Sequence, residues 1–175
     1  MPVPAPMLAT AGRPPDDPGR WAFEMKWDGM RAITTAAGGT CRFFSRNMRD
    51  VSRAFPELTA AVAALAGQRE MIIDGEIIAP EPATGAPSFA RLQHRMHVTR
   101  PAAELIRAFP VQLFVFDLLE LDGRPLMTLP YLERRSWLAD SALTGPLVST
   151  PPFWTDVDAA TMLDLAREHQ LEGIL

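Results

Sequence analysis

The stretch Met71-Ile72-Ile73-Asp74-Gly75-Glu76-Ile77-Ile78 restricts the fold more than any other part of the chain. It is apolar and isoleucine-rich except at Asp74 and Glu76, and the run from Glu70 to Pro80 is predicted as one strand. Side chains alternate across a strand, so two carboxylates spaced by two share one face. Carboxylates inside a buried run are costly unless they are paired or bound to a metal. The strand therefore needs cationic partners on that face. The alternative is an edge strand whose acids are solvated.

The second constraint is Lys26, the only lysine in 175 residues that include sixteen arginines. Arginine stays protonated in proteins, whereas a lysine amine can become neutral and attack an electrophile. A leftover surface lysine is the competing explanation, and the flanking residues weigh against it. Met25 and Trp27 are apolar and could desolvate the amine. Asp28 would share the Lys26 side of an extended strand, and Gly29 would let the chain turn sharply.

Periodicity and turn residues place these stretches within a mixed chain. Residues 1–20 are proline-rich and read as an extended lead-in, with Pro6-Met7-Leu8-Ala9 an apolar patch near a ligand pocket. Strands are predicted over 21–28, 30–37 and 40–45, the last two joined by a hairpin at Gly38-Gly39. A helix is predicted over 54–66, with Pro56 near its start and Gly67 past its end. Ser88 caps a predicted helix to Met96, and a short helix runs from Pro101 to Phe109. Val111 to Leu121 reads as a central strand, turned back at Asp122-Gly123. An amphipathic helix over 132–139 and a short strand over 147–150 follow. Thr155-x-x-Asp158 is predicted to cap a helix to His169, and 171–175 opens another strand. His94 and His97 have a metal-compatible spacing without a third ligand nearby, so they read as surface residues.

Five short patterns, in order, now resemble the covalent nucleotidyltransferases, the family of ATP-dependent DNA ligases, RNA ligases and mRNA-capping guanylyltransferases. Lys26-Trp27-Asp28-Gly29-Met30-Arg31 resembles motif I and Ser45-Arg46-Asn47 motif Ia. Asp74-Gly75-Glu76 resembles motif III, Phe114-Val115-Phe116-Asp117 motif IIIa, and Glu172-Gly173-Ile174 motif IV. Ser88-Phe89-Ala90-Arg91-Leu92-Gln93 is similar to a helix of bacterial ATP-dependent DNA ligases near the end-joining enzymes.

The resemblance implies an α+β fold, mostly antiparallel sheets flanked by helices, of the ATP-grasp-like nucleotidyltransferase adenylation type. It implies that Lys26 attacks the α-phosphate of ATP and that AMP then passes to a DNA 5′-phosphate for nick sealing. Glu24 would sit beside the adenine edge and Phe116 against the purine face. Arg31 and Arg46 would meet ribose and phosphates, and Glu76 and Glu172 would hold Mg²⁺ or Mn²⁺. For Phe116, ordinary core packing is the alternative. The implied partners are nicked or broken double-stranded DNA, ATP and end-joining proteins. The implied roles are DNA repair and recombination in the bacterial cytoplasm, at the nucleoid. An RNA ligase, a capping-type enzyme, or a catalytically silent nucleotide- or DNA-binding module remain alternatives.

Composition limits what else the chain can be. A hydrophobic fraction of 47% and a charged fraction of 22% suit one globular domain, and no apolar run is long enough to span a bilayer. The first residues lack a signal-peptide pattern. One cysteine, Cys41, excludes an internal disulfide framework and reads as a structural strand residue. A net charge of −4 argues against coating nucleic acid, but Arg31, Arg42, Arg46, Arg49 and Arg53 could form a local basic face. Residues 1–175 are expected to be an adenylation domain incomplete at its C-terminus, without motif V or the oligonucleotide-binding-fold domain. Such a chain is expected to bind ATP weakly and to self-adenylate slowly or not at all.

Overall fold

The computed structural model describes residues 2–15 and 17–175; Met1 and Asp16 of the predicted lead-in lie outside the described residues. Along the chain come β1 (Met25–Lys26), β2 (Met30–Ala37), β3 (Thr40–Ser45) and α1 (Pro56–Ala66). They are followed by β4 (Met71–Ile78), α2 (Phe89–Met96), α3 (Ala103–Ala108) and β5 (Gln112–Leu121). The last elements are β6 (Arg124–Pro125), α4 (Tyr131–Asp140), β7 (Val148–Ser149), α5 (Ala159–Glu168) and β8 (Gly173–Ile174). The predicted α+β class with mostly antiparallel sheets is the class observed.

The main sheet runs β3-β2-β4-β5, with β6 antiparallel at one end of β5 and β7 parallel at the other. The β2–β3 hairpin turns on Gly38 (φ 55°) and Gly39 (φ 72°), and β5 turns back through Asp122 (φ 47°) and Gly123 (φ 78°). Such turns match the strand twist and need positive φ at both positions, which the sequence supplies. One sheet face is the core. Cys41, Phe43, Ile73, Ile77, Leu113 and Val115 meet Leu58 and Val62 of α1 and Leu92 of α2 there. Leu58, Val62 and Ala66 recur every fourth residue along α1, so one stripe enters the core. Each large buried side chain in that stripe contributes about 1.5–3 kcal/mol.

A second, two-stranded sheet pairs β1 with β8, Lys26 opposite Gly173. Phe23, Met25, Met162 and Ala166 form its own small core against α5. Here the sequence reading over 21–28 is corrected. Only Met25–Lys26 is strand, Phe23 makes a single bridge to Trp154, and Trp21 is exposed. Strand length follows the partner, and β8 offers two paired residues.

Two helix starts also move. Residues 52–54 form a 3₁₀ turn, so α1 begins at Pro56 rather than at Ala54. Asp158 itself caps α5, accepting from the Thr161 N–H at 2.9 Å, so the cap lies three residues beyond Thr155. No helix among the described residues is long and apolar enough to cross a membrane.

Gly75 in the middle of β4 and Gly29 just before β2 serve close approach. A Cβ on Gly75 would lie 2.5 Å from the Phe114 carbonyl, and one on Gly29 2.4 Å from the Ile77 carbonyl. Gly29 lies in the bend between β1 and β2, where the sequence reading expected the chain to turn, and its missing Cβ also lets β4 pack close. Gly75→Ala is expected to cost about 1–3 kcal/mol in urea unfolding. Gly145→Ala, whose Cβ would meet Leu65 at an ordinary 3.5 Å, should be nearly neutral.

Candidate active site

The sheet face opposite the helices carries the charged residues of β2 and β4. Cross-strand pairing sets Arg31 opposite Glu76 and Ile33 opposite Asp74. Arg31 reaches diagonally to Asp74, with Nε 2.5 Å from Oδ1 and Nη2 2.6 Å from Oδ2. This fork is the geometry guanidinium makes with carboxylate, and it neutralises one of the two strand acids. Burial still raises the Asp74 pKa, against the lowering effect of Arg31.

Glu76 has no such fork. Burial pushes its pKa up to about 8, while the charges of Arg31 and then Lys26 pull it down. It borders a cavity of about 430 Å³ that also meets Glu24, Lys26, Arg31, Arg46, Phe116 and Glu172, with Leu8 and Ala9 of the lead-in patch at its rim. All seven residues singled out from the sequence thus border one cavity. They come from β1 and the residue before it, β2, the turn after β3, β4, β5 and the residue before β8.

Lys26 arrives there through the β1–β8 ladder, which also sets Glu172 beside it. Lys26 Nζ and Glu172 Oε1 form an ion pair, with the two side chains 38% and 46% exposed. Met25 is buried in the small core and Trp27 packs edge-on against Phe114, ring centroids 4.9 Å apart. These neighbours leave the lysine partly solvated, so the predicted desolvation by them is incomplete. Asp28 also departs from expectation. β1 ends at Lys26, and Asp28 Oδ2 accepts from the Phe89 N–H at 3.1 Å, supporting the start of α2 alongside the Ser88 cap.

Phe116 borders the charged cavity, whereas Phe114, on the same strand face, borders a second cavity of about 510 Å³ with Trp27, Trp154 and Leu165. The Arg31 guanidinium lies over the Phe116 ring, 4.6 Å from its centroid. One cation is therefore shared between Asp74 and Phe116. Arg31 is thereby drawn out of the predicted basic face, leaving Arg42, Arg46, Arg49 and Arg53 exposed.

Several site-forming residues have no local sequence signal. Arg134 grips Asp117 with contacts of 2.9, 3.1 and 2.9 Å, anchoring α4 to β5. Tyr131 donates to Glu24 Oε1 at 2.7 Å, and Arg135 Nη1 donates to the Phe116 carbonyl at 2.9 Å. Burial raises the Glu24 pKa, and the Tyr131 hydrogen bond and the Arg135 charge restrain that rise. An amphipathic reading of this helix misses Arg135 because it is 5% exposed, where the pattern expects an apolar residue.

A divalent metal fits this site in one manner. Among the described residues no three His, Cys, Asp or Glu side chains cluster as a metal cage. Glu76 and Glu172 are two oxygen donors bordering one cavity. Mg²⁺ characteristically takes one or two carboxylates and completes its shell with water and substrate phosphates.

The two ion pairs differ in burial, and stability should follow. Asp74→Ala is expected to cost about 3 kcal/mol in urea unfolding, because it strands a largely buried guanidinium. Glu172→Ala should cost under about 1 kcal/mol, because its pair is half solvated.

Residues 6–175 match the family described as ATP dependent DNA ligase domain. The multifunctional non-homologous end joining DNA repair protein LigD of Mycobacterium tuberculosis is 37% identical over 172 residues, which cover 98% of this chain and 21% of that protein. A DNA ligase of Pyrobaculum calidifontis is 37% identical over 143 residues, 81% of this chain and 24% of that protein. The solved structure of mycobacterial DNA ligase D complexed with ATP and MES superposes with a TM-score of 0.79 at 36% identity, covering 97% of this chain and 52% of that one. The chain thus spans about a fifth of the length of LigD and about half of the solved ligase D chain.

Proposed function

Since the chain belongs to the ATP-dependent DNA ligase domain family, we propose that its charged cavity binds ATP and that Lys26 accepts the AMP. The observation that carries this reading is the convergence on one cavity of the sole lysine, two further cations, an aromatic ring and three carboxylates. The solved relative named as a complex with ATP supports the choice of nucleotide.

In the proposed first step Lys26 Nζ attacks the α-phosphorus. A P–N bond forms as the bond to the bridging oxygen breaks, and pyrophosphate leaves with that electron pair. The attacking amine must be free. Its ion pair with Glu172 has to part or pass its proton, and Glu172 Oε1 is the acceptor in contact with Nζ. Phosphoryl transfer depends on positioning and on neutralising phosphate charge. Arg46 is the cavity guanidinium without a carboxylate partner among the described residues, whereas Arg31 is tied to Asp74 and serves more to shape the wall. Glu76 and Glu172 are the side chains that would hold Mg²⁺ or Mn²⁺, which would supply further neutralisation of the phosphates. Phe116 would border the purine, and Glu24 would meet it at the edge.

The AMP would then pass from Lys26 to the 5′-phosphate of nicked or broken double-stranded DNA, and attack by a 3′-hydroxyl would release it and seal the strand. The exposed Arg42, Arg46, Arg49 and Arg53 offer phosphate contacts for that DNA. The name of the Mycobacterium tuberculosis relative points to end-joining proteins as partners and to DNA repair as the setting.

Denaturing gels after incubation with labelled ATP or GTP test the reading. In the intact protein, covalent label is expected from ATP, on Lys26 by mass spectrometry, and none on Lys26→Arg. Label from GTP alone would indicate a capping-type enzyme, and label elsewhere would remove Lys26 from the role. Phe116→Ala should weaken ATP binding by roughly 1–3 kcal/mol in calorimetry, by analogy with base stacking on aromatic side chains.

A further inference from the structure

The two carboxylate oxygens of Glu24 are not equivalent. Tyr131 donates to Oε1 at 2.7 Å, and Arg135 Nη1 lies 3.3 Å from that same atom. Among the described residues no donor meets Oε2. Arg135 spends its remaining contacts on the Phe116 carbonyl at 2.9 Å and the Pro151 carbonyl at 2.5 Å. One buried guanidinium therefore links Glu24 to the backbone of the residue that forms the aromatic wall. Behind them, Phe153 packs edge-on against Tyr131, with centroids 5.6 Å apart, and lies under Arg135 at 4.8 Å. The α4 side chains holding Glu24 are thus themselves fixed by packing.

We propose that Tyr131, backed by Arg135, is a specificity-determining positioning residue that holds Glu24 so that only Oε2 faces the nucleotide base, as an acceptor for the exocyclic amine of adenine. The inference rests on the reading of the cavity as an ATP site. An ionised carboxylate only accepts hydrogen bonds. ATP offers two kinds of donor, the adenine amine and the ribose hydroxyls; its ring nitrogens and phosphate oxygens accept. Glu24 is tied through Arg135 to the Phe116 end of the cavity, so the base is the part of ATP it meets. A purine with a carbonyl in place of the amine would set lone pairs against lone pairs. Discrimination against it requires an acceptor that cannot turn away, because an unpaired buried polar group is what makes the wrong ligand costly. A glutamate carboxylate has a broad terminal torsion when free. Anchoring Oε1 removes that freedom. Loss of the Tyr131 hydroxyl would let Oε2 swing and blur the choice of base.

ATP and ITP, which carry an amine and a carbonyl at the same ring position, are the probes. Their binding and adduct formation are compared in the intact protein for wild type, Tyr131→Phe, Glu24→Ala and the double variant. Tyr131→Phe should cut the preference for ATP over ITP about tenfold, the scale of a hydrogen bond to a charged group. The maximal rate of adduct formation with ATP should stay within about twofold, because the base edge is remote from the reacting phosphorus. In the Glu24→Ala background the same substitution should leave the ratio unchanged, since its effect travels through Glu24. An unchanged ratio in Tyr131→Phe would overturn the inference. So would an equal shift without Glu24, or a change confined to the preference for ATP over dATP, which would assign Glu24 to the ribose. Failure of the wild type to bind ATP would overturn the nucleotide reading, and this inference with it; ATP binding with any of the preceding three results would overturn this inference alone.

Discussion

Two carboxylates on one face of β4 set the terms for the rest of the molecule. Asp74 is 4% exposed, and its charge is tolerable because Arg31 grips both its oxygens. Glu76 is left without an equivalent partner, and burial raises its pKa to about 8. A sheet with one face packed by helices and the other holding an under-neutralised acid is arranged to receive positive charge there. Gly75, between the two acids, lets the β5 backbone come close enough for Phe116 to share that face.

The nucleophile candidate depends on contacts far along the chain. β1 is two residues long, and a hairpin partner is absent from its neighbourhood. It is held by β8, by the Phe23–Trp154 bridge, and by backbone bonds between Glu24 and Leu175 at 2.9 and 2.8 Å. The ladder that fixes Lys26 also brings Glu172 to it, so positioning and charge pairing have one cause. The Lys26 side of the cavity is built on a small core of four buried residues, with Trp27, Trp154 and Leu165 among the partly buried side chains packed against it.

The arginine bias of the chain has structural uses. Arg95 is fully buried and binds Glu57 at 2.7 Å and the carbonyls of Ala54 and Phe109. Arg135 does the same for Phe116 and Pro151, and Arg134 for Asp117. A planar fork with five donors that keeps its charge can staple several acceptors at once, which an ammonium cannot. Lys26 is the only side-chain amine of the chain, which is why its solitude in the sequence is informative.

Local chemistry was legible in the sequence alone. Strands β2 to β5, the Gly38-Gly39 and Asp122-Gly123 turns, the Ser88 cap and the need of Asp74 and Glu76 for partners follow from alternation, positive φ and the cost of buried charge. These depend on residues near one another in the chain. The motif resemblance also marked seven of the residues that border the cavity. What the sequence left undecided depends on partners remote in the chain. The sequence did not pair Glu172 with Lys26 or Arg31 with Asp74. It did not shorten the strand predicted over 21–28, because β8 sets that length. Tyr131 and Arg135 stand 107 and 111 positions from Glu24, and only packing α4 against β5 turns them inward. Side-chain type and spacing carry the local conformational preferences, whereas a hydrogen bond across such a separation exists only once loop closure has brought its ends together.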